Sequence, residues 1–177
     1  DGILDLGHLE SGHIQLELGD LEISEVLQQL ASETERANPA SSVKVALDPG
    51  PLTVLADPGR VDQVIRNLLD NAVKFSPLGG DINVSASRFG QYVRISIADQ
   101  GVGIPTDQRE LVFERFYRIQ SAETQGIPGT GLGLPTCRSI VEAHGGRIWV
   151  ESPAPGQKVS GATLTFTLPI SPIVESA

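Results

Sequence analysis

The stretch DPGRVDQVIRNLLDNAVKF, residues 57–75, decides the reading of the chain. Val61, Val64, Ile65, Leu68, Leu69, Ala72 and Val73 recur at helical spacing and form one continuous apolar face. Asp57 is placed to cap a helix, and Pro58 suits the first helical position, where a missing N–H loses nothing. Ser76-Pro77 and Gly79-Gly80 stop it. The spacing predicts a helix over 58–75. Beside its apolar face, Asn67, Asn71 and Lys74 fall within about 60° of one another. Two amides and an ammonium on one stripe supply oxygen ligands for a hard cation and a point charge for phosphate. The same stripe also suits a solvated helix face. Asp70 is the carboxylate nearby, and its helical angle turns it away from Asn71, which reads as a structural position.

Outward from this helix, hydrophobic periodicity divides the rest. Residues 1–12 read as the tail of a helix, and Ile14, Leu16 and Leu18 alternate as a strand over 14–18. A helix is predicted over 21–37, with Ser24 as a candidate cap and Asn38-Pro39 as its stop. Segments 43–47 and 52–56 read as a hairpin around Asp48-Pro49-Gly50-Pro51. Two strands follow at 82–88 and 92–98. Segment 100–130 is punctuated by glycine and proline around a short aromatic helix, a length typical of functional lids. A helix over 133–144 and strands at 147–151 and 162–168 complete the pattern. The fold class expected is α+β: a two-layer sandwich with helices on one face of a mixed, mostly antiparallel sheet.

Composition narrows the function. In 177 residues, 22 acidic against 13 basic side chains give a net charge of −9, so bulk attraction to nucleic acid or anionic lipid is excluded. Any anionic ligand must be held by local groups. No apolar run is long enough to span a bilayer. Cys137 is the single cysteine, so no intrachain disulfide forms and a reducing compartment fits. The chain contains no methionine, even at position 1, and is expected to be a piece of a longer protein.

Three further stretches carry chemistry. Asp99-Gln-Gly101-Val-Gly103 follows an apolar strand, where a carboxylate beside permissive glycines suits the amino group of a planar base; a plain Asp-x-Gly turn has the same residues. Gly129-Thr-Gly131-Leu-Gly133-Leu134 leads into a helix, and free N–H groups there suit phosphate; a flexible hinge would look alike. Leu132 stands where a Walker A loop needs lysine, and no strand precedes these glycines, so neither that loop nor a dinucleotide fingerprint applies. Phe113-Glu-Arg-Phe-Tyr-Arg118 concentrates aromatics that can anchor the loop segment, with Arg118 able to swing onto a phosphate.

In this order, Asn67-Leu-Leu-Asp-Asn71-Ala-Val-Lys74-Phe75 and these three stretches resemble the N, G1, F and G2 boxes of bacterial sensor histidine kinases, within the GHKL ATPases. The resemblance spans 14–169, and His144-Gly-Gly-Arg-Ile-Trp-Val-Glu-Ser152 is similar to that family as well. It implies a domain over 13–170 that binds ATP and Mg²⁺ under a mobile lid, preceded by the end of a second dimerisation helix (1–12) and followed by a tail (171–177). Asn71 would coordinate Mg²⁺, with Asn67 and Lys74 near the phosphates. Asp99 would receive the adenine amino group in a pocket shaped by Gly101 and Gly103. Arg118 and the backbone of Gly131, Leu132 and Gly133 would handle the phosphate end. Phe75, Tyr117 and Thr130 lie within the same boxes and are expected beside the nucleotide.

Relatives that hydrolyse ATP place a glutamate four residues before the metal-binding asparagine. Here that position is Asn67, an amide that cannot serve as a base. The expected activity is therefore phosphoryl transfer to a histidine on an upstream dimerisation domain outside this chain, for relay to a response regulator aspartate. The parent is expected to be a homodimer with this domain in the cytoplasm, whether membrane-bound or soluble. A non-catalytic ATP-binding module and a GHKL-type ATPase are the alternatives. His8, His13 and His144 lack the context of a phosphoacceptor. Pro135 departs from the family pattern and removes one backbone donor from the first turn of its helix.

Overall fold

The computed structural model describes residues 14–76, 78–151 and 161–172. Chain order is β1 (Gly19–Glu22), α1 (Ile23–Ala37), β2 (Ser41–Leu47), β3 (Thr53–Ala56), α2 (Pro58–Lys74), β4 (Gly80–Phe89), β5 (Tyr92–Ala98), α3 (Gly133–Ala143), β6 (Ile148–Val150) and β7 (Thr163–Pro169). Five strands form one sheet in the order β2-β4-β5-β7-β6, while β1 and β3 form a separate antiparallel ribbon. Only β2–β4 is parallel within the large sheet. This is the mixed α+β sandwich expected.

Strand alternation sets which face is covered. Val84 pairs with Ile97, Ala86 with Ile95, and Phe166 lies between Ile95 and Ile148. These side chains are buried, and against them pack Leu27 and Leu30 of α1, Val64, Ile65, Leu68 and Leu69 of α2, and Cys137, Ile140 and Val141 of α3. The opposite face stays polar, with a Ser96–Thr165 hydroxyl contact at 2.8 Å. Helix α2 starts as its sequence dictates: Asp57 Oδ1 accepts from the Arg60 N–H at 3.1 Å. Its buried residues match the predicted stripe, apart from the partly buried Val73.

Several local expectations are corrected. Segments 43–47 and 52–56 do not form a hairpin: β2 pairs with β4, and β3 pairs with β1 in the other sheet. Pro49 and Pro51 offer no N–H for a ladder, and the intervening loop is tied instead to β4 through Asp48 N–H to Ala86 O at 2.9 Å. The first strand is β1, not 14–18. Its partner β3 ends at Ala56 before the chain turns into α2, so residues before Gly19 have nothing to pair with. There the Glu17 N–H donates to Asp57 Oδ2 at 2.9 Å. Helix α1 begins at Ile23 with Glu22 as its N-cap; Ser24 sits inside the helix and donates to the Glu22 carboxylate. Segment 100–130 contains 3₁₀ turns at Thr106–Gln108 and Leu111–Phe113 and no α-helix. The expected helix tail at 1–12, His8 and His13 lie outside the described residues. At the other end, Ser171 N–H donates to Thr53 O at 3.1 Å, so ordered contacts reach past 170.

Candidate functional site

A cavity of about 370 Å³ opens between α2, the end of β5, the start of α3 and the intervening loop. From α2 come Asn67, Asn71 and Lys74, with Phe75 as its C-cap; from the loop, Gly103, Tyr117, Arg118, Thr130 and Gly131; after β5 comes Asp99, and from α3 Gly133. The helical register of α2 thus delivers the polar stripe to one wall while its apolar face stays in the core. Gly101 and Leu132, expected at the pocket, do not line it. Gly101 packs so closely under α2 that a Cβ would stand 2.0 Å from Phe75 O, and its N–H donates to Asp99 Oδ1 at 2.8 Å. Leu132 is the N-cap of α3 and its carbonyl accepts from Thr136.

The two ends of the cavity differ in chemistry. At one, Asp99 is held by N–H donors from Gly101 and, at 3.2 Å, from Ala162 at the start of β7. Both reach Oδ1, leaving the other carboxylate oxygen without a protein donor among the described residues. Burial raises the Asp99 carboxyl above its ordinary range, opposed by these two hydrogen bonds. Ile104, Val102 and Leu164 supply apolar walls nearby.

At the other end Lys74 and Arg118 converge. Burial lowers the Lys74 ammonium from its usual range, and the Arg118 charge lowers it further. The ammonium lies 5.1 Å from the Phe75 ring centroid, and a Cβ on Gly129 would stand 2.7 Å from Nζ. Neither cation is ion-paired with a carboxylate among the described residues. Partly buried Lys74 and exposed Arg118, whose guanidinium donates to the Ile127 carbonyl, bring positive charge to this end and make it suit an anion. The adjoining first turn of α3 adds free N–H groups, reduced by one at Pro135, which lines the cavity and is buried.

Gly131 joins loop to site. Its φ of +71° is one that only glycine adopts without strain, and its carbonyl accepts from Phe116 N–H at 2.9 Å. A Cβ there would stand 2.7 Å from the Phe116 carbonyl carbon. The loop is anchored beneath by buried Val112 and Phe113, with the Arg138 guanidinium 4.4 Å above the Phe113 ring, and by Tyr117 O–H donating to Gln108 Oε1 at 2.9 Å.

Sequence reasoning missed some of the lining. Asp70 borders the cavity despite its helical angle, because the opening is wider than one helical stripe, and burial raises its carboxyl. Ala162 serves through its backbone, for which no side-chain signal exists. Thr124 and Ile104 lie in the loop segment whose course has no periodicity.

The donor set fits a magnesium ion brought by a ligand. Asn67 and Asn71 offer hard amide oxygens from one wall, while no group of three His, Cys, Asp or Glu among the described residues could cage a metal alone. Magnesium characteristically keeps several waters and is shared between few protein oxygens and substrate phosphates.

Comparison with known proteins places this geometry. A family profile described as histidine kinase-, DNA gyrase B-, and HSP90-like ATPase matches residues 56–172. The adaptive-response sensory kinase SasA of Trichormus variabilis is 48% identical over 120 residues, covering 67% of this chain and 28% of SasA. The chain therefore spans under a third of that relative's length. Among solved structures, the mycobacterial sensor histidine kinase MprB superposes with a TM-score of 0.74 at 31% identity, covering 86% of this chain and 97% of MprB. Full-length ShkA, solved in complex with AMPPNP, superposes with a TM-score of 0.70 at 33% identity, covering 88% of this chain and 32% of ShkA.

Proposed function

The chain belongs to the histidine kinase-, DNA gyrase B-, and HSP90-like ATPase family, and from that premise we propose that it is the catalytic domain of a sensor histidine kinase that takes Mg-ATP into this cavity. The observation that carries the reading is the polarity of one cleft. A partly buried carboxylate with a spare acceptor stands at one end, and two cations with no carboxylate partner among the described residues stand beside two amides at the other. An aminopurine and a polyphosphate require those opposite ends. ShkA, similar over most of this chain, was solved with an ATP analogue.

In this reading Asp99 accepts the adenine amino group, with Gly103, Tyr117 and Phe75 bordering the base and sugar. Asn71 would hold the metal, which would neutralise phosphate charge when bound. Lys74 and Arg118 draw charge from the triphosphate, and Thr130, Gly131 and Gly133 bring the loop backbone to it as a closing lid. Phosphoryl transfer depends mainly on positioning and charge neutralisation, which these groups supply. Asn67 provides no base for water, so the γ-phosphoryl passes to a better-placed nucleophile. That nucleophile is a histidine on an upstream dimerisation domain of a homodimeric parent, and the phosphoryl then moves to a response regulator aspartate.

No described helix is long and apolar enough to cross a membrane. Because ATP is the intracellular donor, the domain operates on the cytoplasmic side.

Titration calorimetry with Mg-AMPPNP tests the binding, and incubation with the parent's dimerisation region and γ-labelled ATP tests the transfer. Label on histidine is expected. Steady phosphate release without labelled protein would assign an ATPase, and binding without either a regulatory module.

A further inference from the structure

Four glycines between the loop and the start of α3 differ in what a side chain would meet there. A Cβ on Gly126 would meet nothing within 4 Å, one on Gly131 would strike the Phe116 backbone, and one on Gly133 would stand 3.3 Å from Asn67 Oδ1. Gly129 differs from all three. A Cβ there would stand 2.7 Å from Lys74 Nζ and 3.8 Å from Lys74 Cε, with no other heavy atom within 4 Å beyond its chain neighbours. Its φ lies outside the left-handed region that Gly126 and Gly131 occupy, so no left-handed turn calls for glycine at this position. What glycine provides at 129 is room, and that room is taken by an ammonium.

Lys74 belongs to α2, whose backbone is fixed by the core, whereas Gly129 belongs to the loop. The ammonium has no carboxylate partner among the described residues, and its other neighbour is the Phe75 ring, with the centroid at 5.1 Å. A methyl group on Gly129 would leave the backbone in place and push Nζ by about 1 Å to regain ordinary contact, a displacement large enough to spoil an oriented contact with a ligand. We propose that Gly129 is a positioning residue: the space at its α-carbon seats the Lys74 ammonium, and the loop thereby sets where that charge meets the anionic part of the ligand. The seat controls affinity for phosphate and not for the base. This inference rests on the reading of the cavity as a nucleotide site.

The test is a double-mutant cycle in the 177-residue chain, with Gly129→Ala, Lys74→Ala and the two combined. Calorimetry measures affinity for Mg-AMPPNP and for adenosine, which has the base and sugar but no phosphate. Gly129→Ala is expected to bind Mg-AMPPNP about 5- to 50-fold more weakly, through a misplaced charged contact, and to bind adenosine within about 2-fold of the parent. Its melting temperature should be no lower than the parent's, because alanine restricts the unfolded chain. Lys74→Ala should lose at least as much Mg-AMPPNP affinity, and adding Gly129→Ala to it should change that affinity by less than about 2-fold, since no ammonium is left to displace. A change that merely stiffened the loop would weaken binding equally with and without Lys74, and the cycle compares chains that share the alanine, so any shift in melting temperature cancels. Parent-like Mg-AMPPNP binding by Gly129→Ala or by Lys74→Ala, an equal loss toward adenosine, or losses that add in the double variant overturns the proposal. An unsubstituted chain that binds no AMPPNP overturns instead the nucleotide reading on which it rests.

Discussion

Replacing Asp99 by asparagine separates recognition from folding at a single atom. The asparagine oxygen can still accept from the Gly101 and Ala162 N–H groups at 2.8 and 3.2 Å, so the turn after β5 keeps its ties. The atom that changes is the spare acceptor, which becomes an N–H donor facing the adenine amino group. One charge-assisted hydrogen bond is lost and two donors are opposed, a difference of about 2–4 kcal/mol, or roughly 30- to 700-fold in ATP affinity. Stability moves the other way. Burial raises the Asp99 carboxyl in the folded state, so its protonation favours folding. That contribution is complete below the unfolded pKa and disappears as pH rises through the folded one, leaving an ionised, desolvated carboxylate as a cost near neutrality. Asparagine removes this cost, so its melting temperature at neutral pH should equal or exceed the parent's. Parent ATP affinity should fall as pH drops through the raised Asp99 range, while the variant's weak affinity stays flat. A 6-oxo purine presents an acceptor where adenine presents a donor, so the variant should prefer inosine triphosphate over ATP. Calorimetric titration with both nucleotides decides it. An Asp99→Asn chain that binds ATP as the parent does removes Asp99 from base recognition.

Gly131→Ala should weaken nucleotide binding at least about 10-fold by equilibrium titration and lower denaturant stability by about 1–3 kcal/mol, because a Cβ at φ +71° is strained and strikes the Phe116 backbone. Pro135→Ala restores one N–H in the first turn of α3 and should tighten AMPPNP binding about 2- to 10-fold; unchanged or weaker binding would show that the missing donor does not face phosphate. His144→Ala should lower unfolding free energy by about 2–3 kcal/mol in chemical denaturation, because buried His144 accepts from the Asp57 N–H at 3.0 Å and contacts Ile140 O through Nδ1 at 2.8 Å.

Which features could be read from residues alone follows from what they depend on. The α2 stripe depends on a local period, and Val61, Val64, Ile65, Leu68, Leu69 and Ala72 are buried as that period requires. The polar edge with Asn67, Asn71 and Lys74 came with it. Asp99 was legible because a carboxylate between a strand and glycines is a local signal. Pairing of β2 with β4, and β3 with β1, depends on partners up to 39 residues away, which a strong turn sequence such as Asp48-Pro49-Gly50-Pro51 obscures. The motif around Gly101 points to the pocket, but not to the close approach of the Phe75 carbonyl, which a residue with a Cβ would block. Ala162 acts through a backbone N–H, which leaves no mark in residue type.

The position of β7 between β5 and β6 has a consequence for biosynthesis. One of the two donors that hold Asp99 lies at the head of this strand, which follows every other described strand in the chain. If the Asp99 end of the cleft takes the purine, that end is incomplete during translation until β7 leaves the ribosome and inserts. On that reading nucleotide cannot template the early stages of folding, and its capture reports that β7 has joined the sheet.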